Sequence, residues 1–418
     1  MPGLARRIGL FDATMVVMGG IVGSGIFVTP ALVASHVHSE AAMLGVWLVG
    51  GAAALLGAFI YSELSAARPS VGGQYAYLRE AYHPAAAFLY GWALLLVIQT
   101  GGMAANAITF ARHVVPLPIG ESGTAALAVA ALTIVNCLGV SAGAKVQSAL
   151  MVLKILAIAA LVVCGLFAGS AAAVARQSAD SFGAALVPVL FSYGGWQTAC
   201  FVAGEMKEPR RDLPRALVIG VAAVIVLYVS VAYAFVRVLG PEGLAQSSAP
   251  AVDVMTRAVG SRGAAFIAAG IAISTLGFLS QSILTAPRVY FAMAADGVFF
   301  RGVAGVSSRT QAPVAAIALQ GVVTIALVLA GTYEAILNYV TAIDFIFFAL
   351  TAGCVFVFRK RGGAERTIPG HPVTTLLFIA ICAAVVVSSF RAHPLQALIG
   401  WGITLLGLPV FFLWRRRS

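Results

Sequence analysis

Charge is scarce in this sequence. Asp, Glu, Lys and Arg make up 10% of its 418 residues, against 61% that are hydrophobic, a balance that excludes an ordinary soluble domain and calls for helices embedded in lipid. The net charge of +11 does not point to nucleic acid, because the basic residues are scattered between apolar runs rather than gathered on one face. Cysteine is sparse too: Cys137, Cys164, Cys200, Cys354 and Cys382 all fall inside apolar runs. They read as small hydrophobic residues, and none lies in a predicted external loop to anchor a disulfide-linked partner. The six histidines keep no metal-ligand spacing, no Ser-His-Asp set is suggested, and Gly19-x-x-x-Gly23 follows no strand, which excludes a nucleotide-binding loop. No metal, cofactor or enzymatic activity is expected. The short basic lead of residues 1–9 has no small-residue cleavage site behind it, so the first apolar run is expected to stay in the protein.

Long apolar runs dominate what is there, near 10–34, 42–67, 85–111, 124–141, 145–169, 182–204, 213–239, 264–290, 312–330, 335–358, 372–390 and 394–414. Each is long enough to cross a bilayer, which predicts an all-α membrane protein of 12 transmembrane helices. Only Arg112, Arg176, Arg237, Arg257, Arg262 and Arg391 fall on one side of the alternation; every other Lys and Arg except Lys154 falls on the opposite side. The basic side is cytoplasmic, so both termini are expected inside. The loops are too short for a separate soluble unit, and residues 1–418 are expected to form one membrane domain.

Two of the runs are interrupted. Gly19-Gly20-Ile21-Val22-Gly23-Ser24-Gly25-Ile26-Phe27-Val28-Thr29-Pro30 sits in the middle of the first, and each interior glycine costs about 1 kcal/mol relative to alanine in a helix. A helix broken at membrane depth survives only where it lines a wet cavity or is buried in protein. Phe191-Ser192-Tyr193-Gly194-Gly195-Trp196 repeats that logic in the sixth run, and Phe11 and Gly23 stand at the same spacing as Phe182 and Gly194. Five spans separate the copies, so they run through the membrane in opposite directions. The pattern predicts an inverted repeat, 10–169 against 182–358, with 372–414 added as helices 11 and 12, and a substrate site where the breaks face each other. Glycines kept only for tight helix packing are the plainer alternative.

A zwitterion of amino-acid type suits two such breaks. N–H groups around Ser24, Gly25 and Ile26, in the break opened at Gly23, face a carboxylate; carbonyls of Ile21, Phe191, Ser192 and Gly194 face an ammonium group. Phe191 and Trp196 flank the second break as gating candidates or as ordinary packing aromatics. Lys154 stands alone among apolar residues about nine positions into helix 5, on the order of 13 Å deep. Ser282 on helix 8 is expected at nearly the same depth. An amine donating to Ser282 and to carbonyls at the end of the first half-helix would occupy the place of a sodium ion; the alternative is a lysine snorkelling to the inner interface. Asp344 in helix 10 either lines the external vestibule, takes up a proton, or hydrogen-bonds a neighbouring helix. Glu63, Glu205 and Glu208, beside many arginines, form either a cytoplasmic gate or structural ion pairs.

These motifs resemble the amino acid–polyamine–organocation superfamily with its LeuT-type five-plus-five inverted repeat, and within it the L-type amino acid transporter branch and its bacterial relatives. The matching residues include Gly20 to Pro30, Tyr61-Ser62-Glu63-Leu64, Pro69-x-x-Gly72-Gly73-Gln74-Tyr75, Phe191 to Trp196, Gly204 to Ala216, Pro287-Arg288-Val289-Tyr290 and Met293 to Gly297. The resemblance implies that the helix 1 and helix 6 breaks bind the amino acid backbone and that Lys154 replaces sodium. The cysteine that joins eukaryotic members to a glycoprotein heavy chain is absent from residues 112–123, which implies a bacterial inner-membrane transporter working alone. The expected activity is sodium-independent transport of L-amino acids, with exchange of neutral ones favoured by the lack of an acidic side chain at the breaks. A proton-coupled symporter, a cationic amino acid or polyamine permease, and an amino acid sensor that moves nothing are the alternatives.

Overall fold

The computed structural model describes residues 6–170, 181–331, 333–362, 368–392 and 394–415; Arg176 of the predicted external set lies outside them. The elements in chain order are α1 (Leu10–Ile21), α2 (Gly25–Ala34), α3 (Glu40–Ala67), α4 (Gln74–Ala81), α5 (Pro84–Ala93), a π turn (Leu94–Ile98), α6 (Gln99–Arg112), α7 (Gly120–Cys137) and α8 (Val140–Phe167). They continue with α9 (Phe182–Ser192), a 3-10 segment (Trp196–Glu205), α10 (Pro209–Gln246), α11 (Pro250–Val259), α12 (Ser261–Thr285), α13 (Pro287–Ala295), a 3-10 turn (Arg301–Ala304), α14 (Val314–Ala330), α15 (Tyr333–Lys360), α16 (Val373–Ala392), α17 (Pro394–Leu405) and α18 (Gly407–Arg415). Among the described residues there is no strand, only an isolated bridge between Ile8 and Met206.

Among the described residues, and taken with their continuations, ten helical segments are long and apolar enough to cross a membrane; the pair α1 and α2, bent by 43°, makes another, and α14 is a shorter apolar helix of 17 residues. Helix ends follow local chemistry. Ser39 accepts from the Ala42 amide to cap α3, and proline opens α5, α10 and α13, where its missing N–H costs nothing.

Several boundaries differ from the hydropathy reading. The fifth span starts at Val140 rather than near 145, because the turn at Gly139 is tight enough for the helix to begin at once. The eighth continues through Pro287 to Ala295, since proline at a first helical position redirects a helix without ending it. The third contains the π turn, and the Thr100 hydroxyl donates to the Leu95 carbonyl there (2.7 Å).

α10 packs along α3 and α8 along α12, while α1 touches α8, α10, α12 and the 3-10 segment Trp196–Glu205. The interrupted helices meet backbone to backbone. Gly195 has φ +103°, and a Cβ placed there would lie 2.0 Å from the Gly20 carbonyl oxygen. Only glycine supplies both the left-handed conformation and the missing volume.

Two ion pairs hold the buried carboxylates Glu205 and Glu63. Arg288 holds Glu205 with both arms of its guanidinium (2.6 and 3.0 Å), and Arg359 holds Glu63 likewise (2.6 and 2.7 Å), with the Ile368 amide completing the Glu63 carboxylate at 3.1 Å. Glu208 is exposed and paired with Arg211 on the next turn (3.0 Å).

Replacing Gly195 with alanine should lower stability by more than about 2 kcal/mol, from the left-handed backbone and the clash together, while Gly302→Ala, with nothing within 4 Å of the new methyl, should be neutral. Thermal denaturation of the detergent-solubilised proteins compares them. Arg288→Met should cost about 3–5 kcal/mol by stranding the Glu205 carboxylate in the interior, and the double variant Glu205→Gln/Arg288→Met should recover part of that loss in the same assay.

Candidate functional site

α1 ends where Val22 turns to an extended conformation (φ −80°, ψ 95°) and its amide closes the last turn on the Met18 carbonyl. Three carbonyls then project from the break without helical partners, and side chains from three other helices satisfy them. Tyr228 of α10 donates its hydroxyl to the Ile21 carbonyl at 3.0 Å. Lys154 of α8 donates its ammonium to the Val22 carbonyl, and Ser274 of α12 donates to the Gly23 carbonyl at 2.9 Å. An orphaned buried carbonyl costs about 1–3 kcal/mol, so this set is what lets the helix stay open at this depth.

Lys154 is 0% exposed. The structure seats it at the C-terminal, negative end of α1, where the peptide dipoles favour a cation, and beside Gly277, whose absent side chain leaves room for Nζ. It does not reach Ser282, whose hydroxyl instead accepts from Gln99 Nε2 at 2.7 Å. Lys154 packs against Gly277, five residues before Ser282 in α12, so it is level with Gly277 and Ser274 rather than with Ser282.

At the other lip of the break α2 begins. The Ser24 amide donates to Asn106 Oδ1 of α6 (3.2 Å), and the amides of Gly25 and Ile26 are the first of their half-helix, with no helical carbonyl ahead of them. Ser24 and Gly25 are partly accessible, whereas Ile21, Gly23 and Ile26 are buried.

The second break lies against the first. α9 ends at Ser192, whose hydroxyl meets Thr29 Oγ1 of α2 at 2.8 Å, and Tyr228, already on Ile21, also reaches the Ser192 carbonyl at 3.4 Å. The Phe191 carbonyl accepts the Gly194 amide (2.9 Å), and the Gly195 carbonyl is held by the Thr198 hydroxyl (2.6 Å), itself held by Gln281 Nε2 (2.6 Å). Phe191 is 39% exposed at the mouth of this contact. Trp196 is 2% exposed, stacked on Phe348 and edge-on to Tyr61, so it packs under the site rather than at its entrance.

Asp344 and Glu205 stand apart from the breaks. Glu205 is taken up by Arg288, and Asp344 lies within electrostatic reach of Tyr61, Tyr90 and Cys382, with Oδ1 shielded from solvent and without a hydrogen-bond partner among the described residues.

Asn106, Tyr228, Ser274, Thr198, Gln281 and the wall residue Phe278, which lies against Gly23, were not singled out from the sequence. The usable signal was a polar side chain in an apolar span, the property that drew attention to Lys154; hydroxyls and amides give it more weakly because they are often satisfied within their own helix.

The sequence pattern of the family described as "Amino acid permease" matches residues 8–413. The human protein named "Large neutral amino acids transporter small subunit 2" is 30% identical over 431 residues, covering 98% of this chain and 80% of that protein. "Serine/threonine exchanger SteT" of Bacillus subtilis (strain 168) is 30% identical over 434 residues, covering 100% of this chain and 98% of its own. "Asc-type amino acid transporter 1" of Mus musculus is 28% identical over 438 residues, with 99% and 82% covered. A match that begins before the first broken helix and ends in the last span takes in both breaks and every residue described around them: the chain belongs to the amino acid permease family.

Proposed function

We propose that this protein carries neutral L-amino acids across a cell membrane without sodium, exchanging one for another by alternating access in a 12-helix, five-plus-five inverted-repeat bundle. The observation that carries the reading is the contact of two interrupted helices at Gly20 and Gly195, with open backbone on its accessible side. The free amides of Gly25 and Ile26 are suited to the carboxylate of a substrate, with the Ser24 amide passing from Asn106 to that carboxylate. The carbonyls of Ile21 and Ser192, held by one tyrosine hydroxyl, are suited to its ammonium group. Contacts of this kind recognise the part common to all amino acids and leave the side chain to walls such as Phe278 and Phe191.

Lys154 supports independence from sodium. Its ammonium supplies a fixed positive charge at the negative end of α1, so no monovalent cation is needed to balance the break. Neutral cargo fits because no carboxylate side chain stands at the breaks among the described residues, and the relatives' names speak of neutral amino acids and of serine/threonine exchange. The absence of cysteine from residues 112–123 fits a carrier that works without a disulfide-linked partner, and the arginine distribution supports a reading with both termini in the cytoplasm. A proton-coupled mode has one observation in its favour, the unpartnered Oδ1 of Asp344.

Proteoliposomes containing the purified protein test the reading. Uptake of labelled serine, threonine, alanine or leucine should require unlabelled amino acid inside, proceed equally with or without sodium, and ignore an imposed proton gradient; accumulation driven by that gradient into empty vesicles would favour the proton-coupled mode, and saturable binding without flux a sensor. Lys154→Ala should cut sodium-free exchange by at least about tenfold, the equivalent of losing one buried charged hydrogen bond, while size-exclusion chromatography shows a folded protein. Full exchange by that variant would remove the role given to Lys154.

A further inference from the structure

On the cytoplasmic side, three segments distant in sequence enclose a pocket of about 120 Å³. They are the lead into α1, the turn between α7 and α8, and the loop before α14. Two arginines line it, Arg7 from the first segment and Arg309 from the third, and neither is ion-paired with a carboxylate among the described residues. The Arg7 guanidinium is positioned by a hydrogen bond from NH1 to the Ser141 hydroxyl (3.0 Å). The far wall is built close: a Cβ on Gly139, which has φ +131°, would sit 2.9 Å from the Thr310 carbonyl oxygen, so the loop presses directly on the turn. Thr310 also lines the pocket. The amides of Val140 and Ser141 open the 28-residue α8 at its rim.

Two unneutralised, exposed guanidiniums and the leading amides of α8 around one pocket ask for the same complement, an anion with several acceptor oxygens. The two guanidiniums and the positive end of α8 repel a metal cation, and the pocket is too polar to hold an apolar group. A phosphate accepts forked donation from arginine and helix amides at once. The location at the inner interface adds the attraction of basic residues there for anionic headgroups, about 1 kcal/mol each. We propose that this pocket binds a phosphate group, clamped between Arg7 and Arg309 at the cytoplasmic face.

Such an anion acts on the moving parts. The backbone amides of Arg7 and Ile8 donate to the Glu205 carbonyl (2.8 and 3.0 Å), so the lead into α1 is already tied to the end of the sixth span. A phosphate shared with Arg309 fastens the base of α1 to the α8 turn and the α14 loop as well. Occupancy therefore stabilises the arrangement in which the cytoplasmic ends are together.

The test uses the full-length protein in nanodiscs and reads its thermal denaturation midpoint, so it does not depend on which solute the protein carries. The midpoint is measured in phosphatidylcholine alone, in phosphatidylcholine with phosphatidylglycerol, and in phosphatidylcholine with inorganic phosphate titrated into the buffer. A ligand that binds the folded form raises the midpoint. A rise with phosphatidylglycerol only identifies a lipid headgroup; a rise with inorganic phosphate as well identifies a site open to soluble phosphate. In either case Arg7→Ala and Arg309→Gln should each lose at least half of the rise, and Arg301→Ala, an exposed arginine outside the pocket, should keep it all. Should Arg7→Ala fail to fold, Arg309→Gln and the charge reversal Arg309→Glu carry the test alone. The proposal is overturned if neither probe shifts the native protein, or if the Arg309 variants respond as the native protein does.

Discussion

A carbonyl from one interrupted helix and a glycine from the other press together in the centre of the bundle, and the rest of the architecture is arranged around making that contact tolerable. Peptide groups taken out of a helix at this depth have no solvent to bind. The structure answers with side chains delivered from outside the two helices: Tyr228 from α10, Lys154 from α8, Ser274 from α12 and Asn106 from α6 each take one group of the first break. The surrounding helices thus act as a frame in which these four polar residues converge on the same few peptide units.

Charge is handled with the same economy. Lys154 is placed where a helix dipole stands in for a counter-ion, and Glu63 and Glu205 each have a forked arginine partner below the site. Pairs of this sort contribute little net stability against apolar replacements, but breaking one is expensive, which suits them to hold neighbouring spans in one register. Trp196, Phe348 and Tyr61 form an aromatic floor between those pairs and the breaks.

Most of the helices were legible because apolar runs are governed by the bilayer, a constraint every span obeys separately. The interruptions were legible for a related reason: Gly23-Ser24-Gly25 and Gly194-Gly195 are poor helix formers exactly where lipid demands good ones. What escaped was relative depth. Counting from the ends of hydropathy runs put Lys154 beside Ser282, but a count along each helix does not say how far two packed helices are shifted along one another, and Lys154 meets Gly277 instead. Partners supplied by other spans escaped as well, because Tyr228 or Asn106 acquires its role only from which helices become neighbours. Asp344 shows the same limit, since nothing local to α15 says that Tyr61 and Tyr90 come to face it.

The reach of Tyr228 to two acceptors sets a proton count at the heart of the protein. A phenol has one hydrogen to share between the Ile21 and Ser192 carbonyls, so Tyr228 alone leaves that pair of oxygens one donor short. A primary ammonium brings three. On the proposed reading, a hydroxy acid or keto acid of the same shape offers at most one hydrogen and gains little over the tyrosine it displaces, so the discrimination between nitrogen-bearing metabolites and their oxygen counterparts comes from stoichiometry at two backbone oxygens rather than from any acidic side chain.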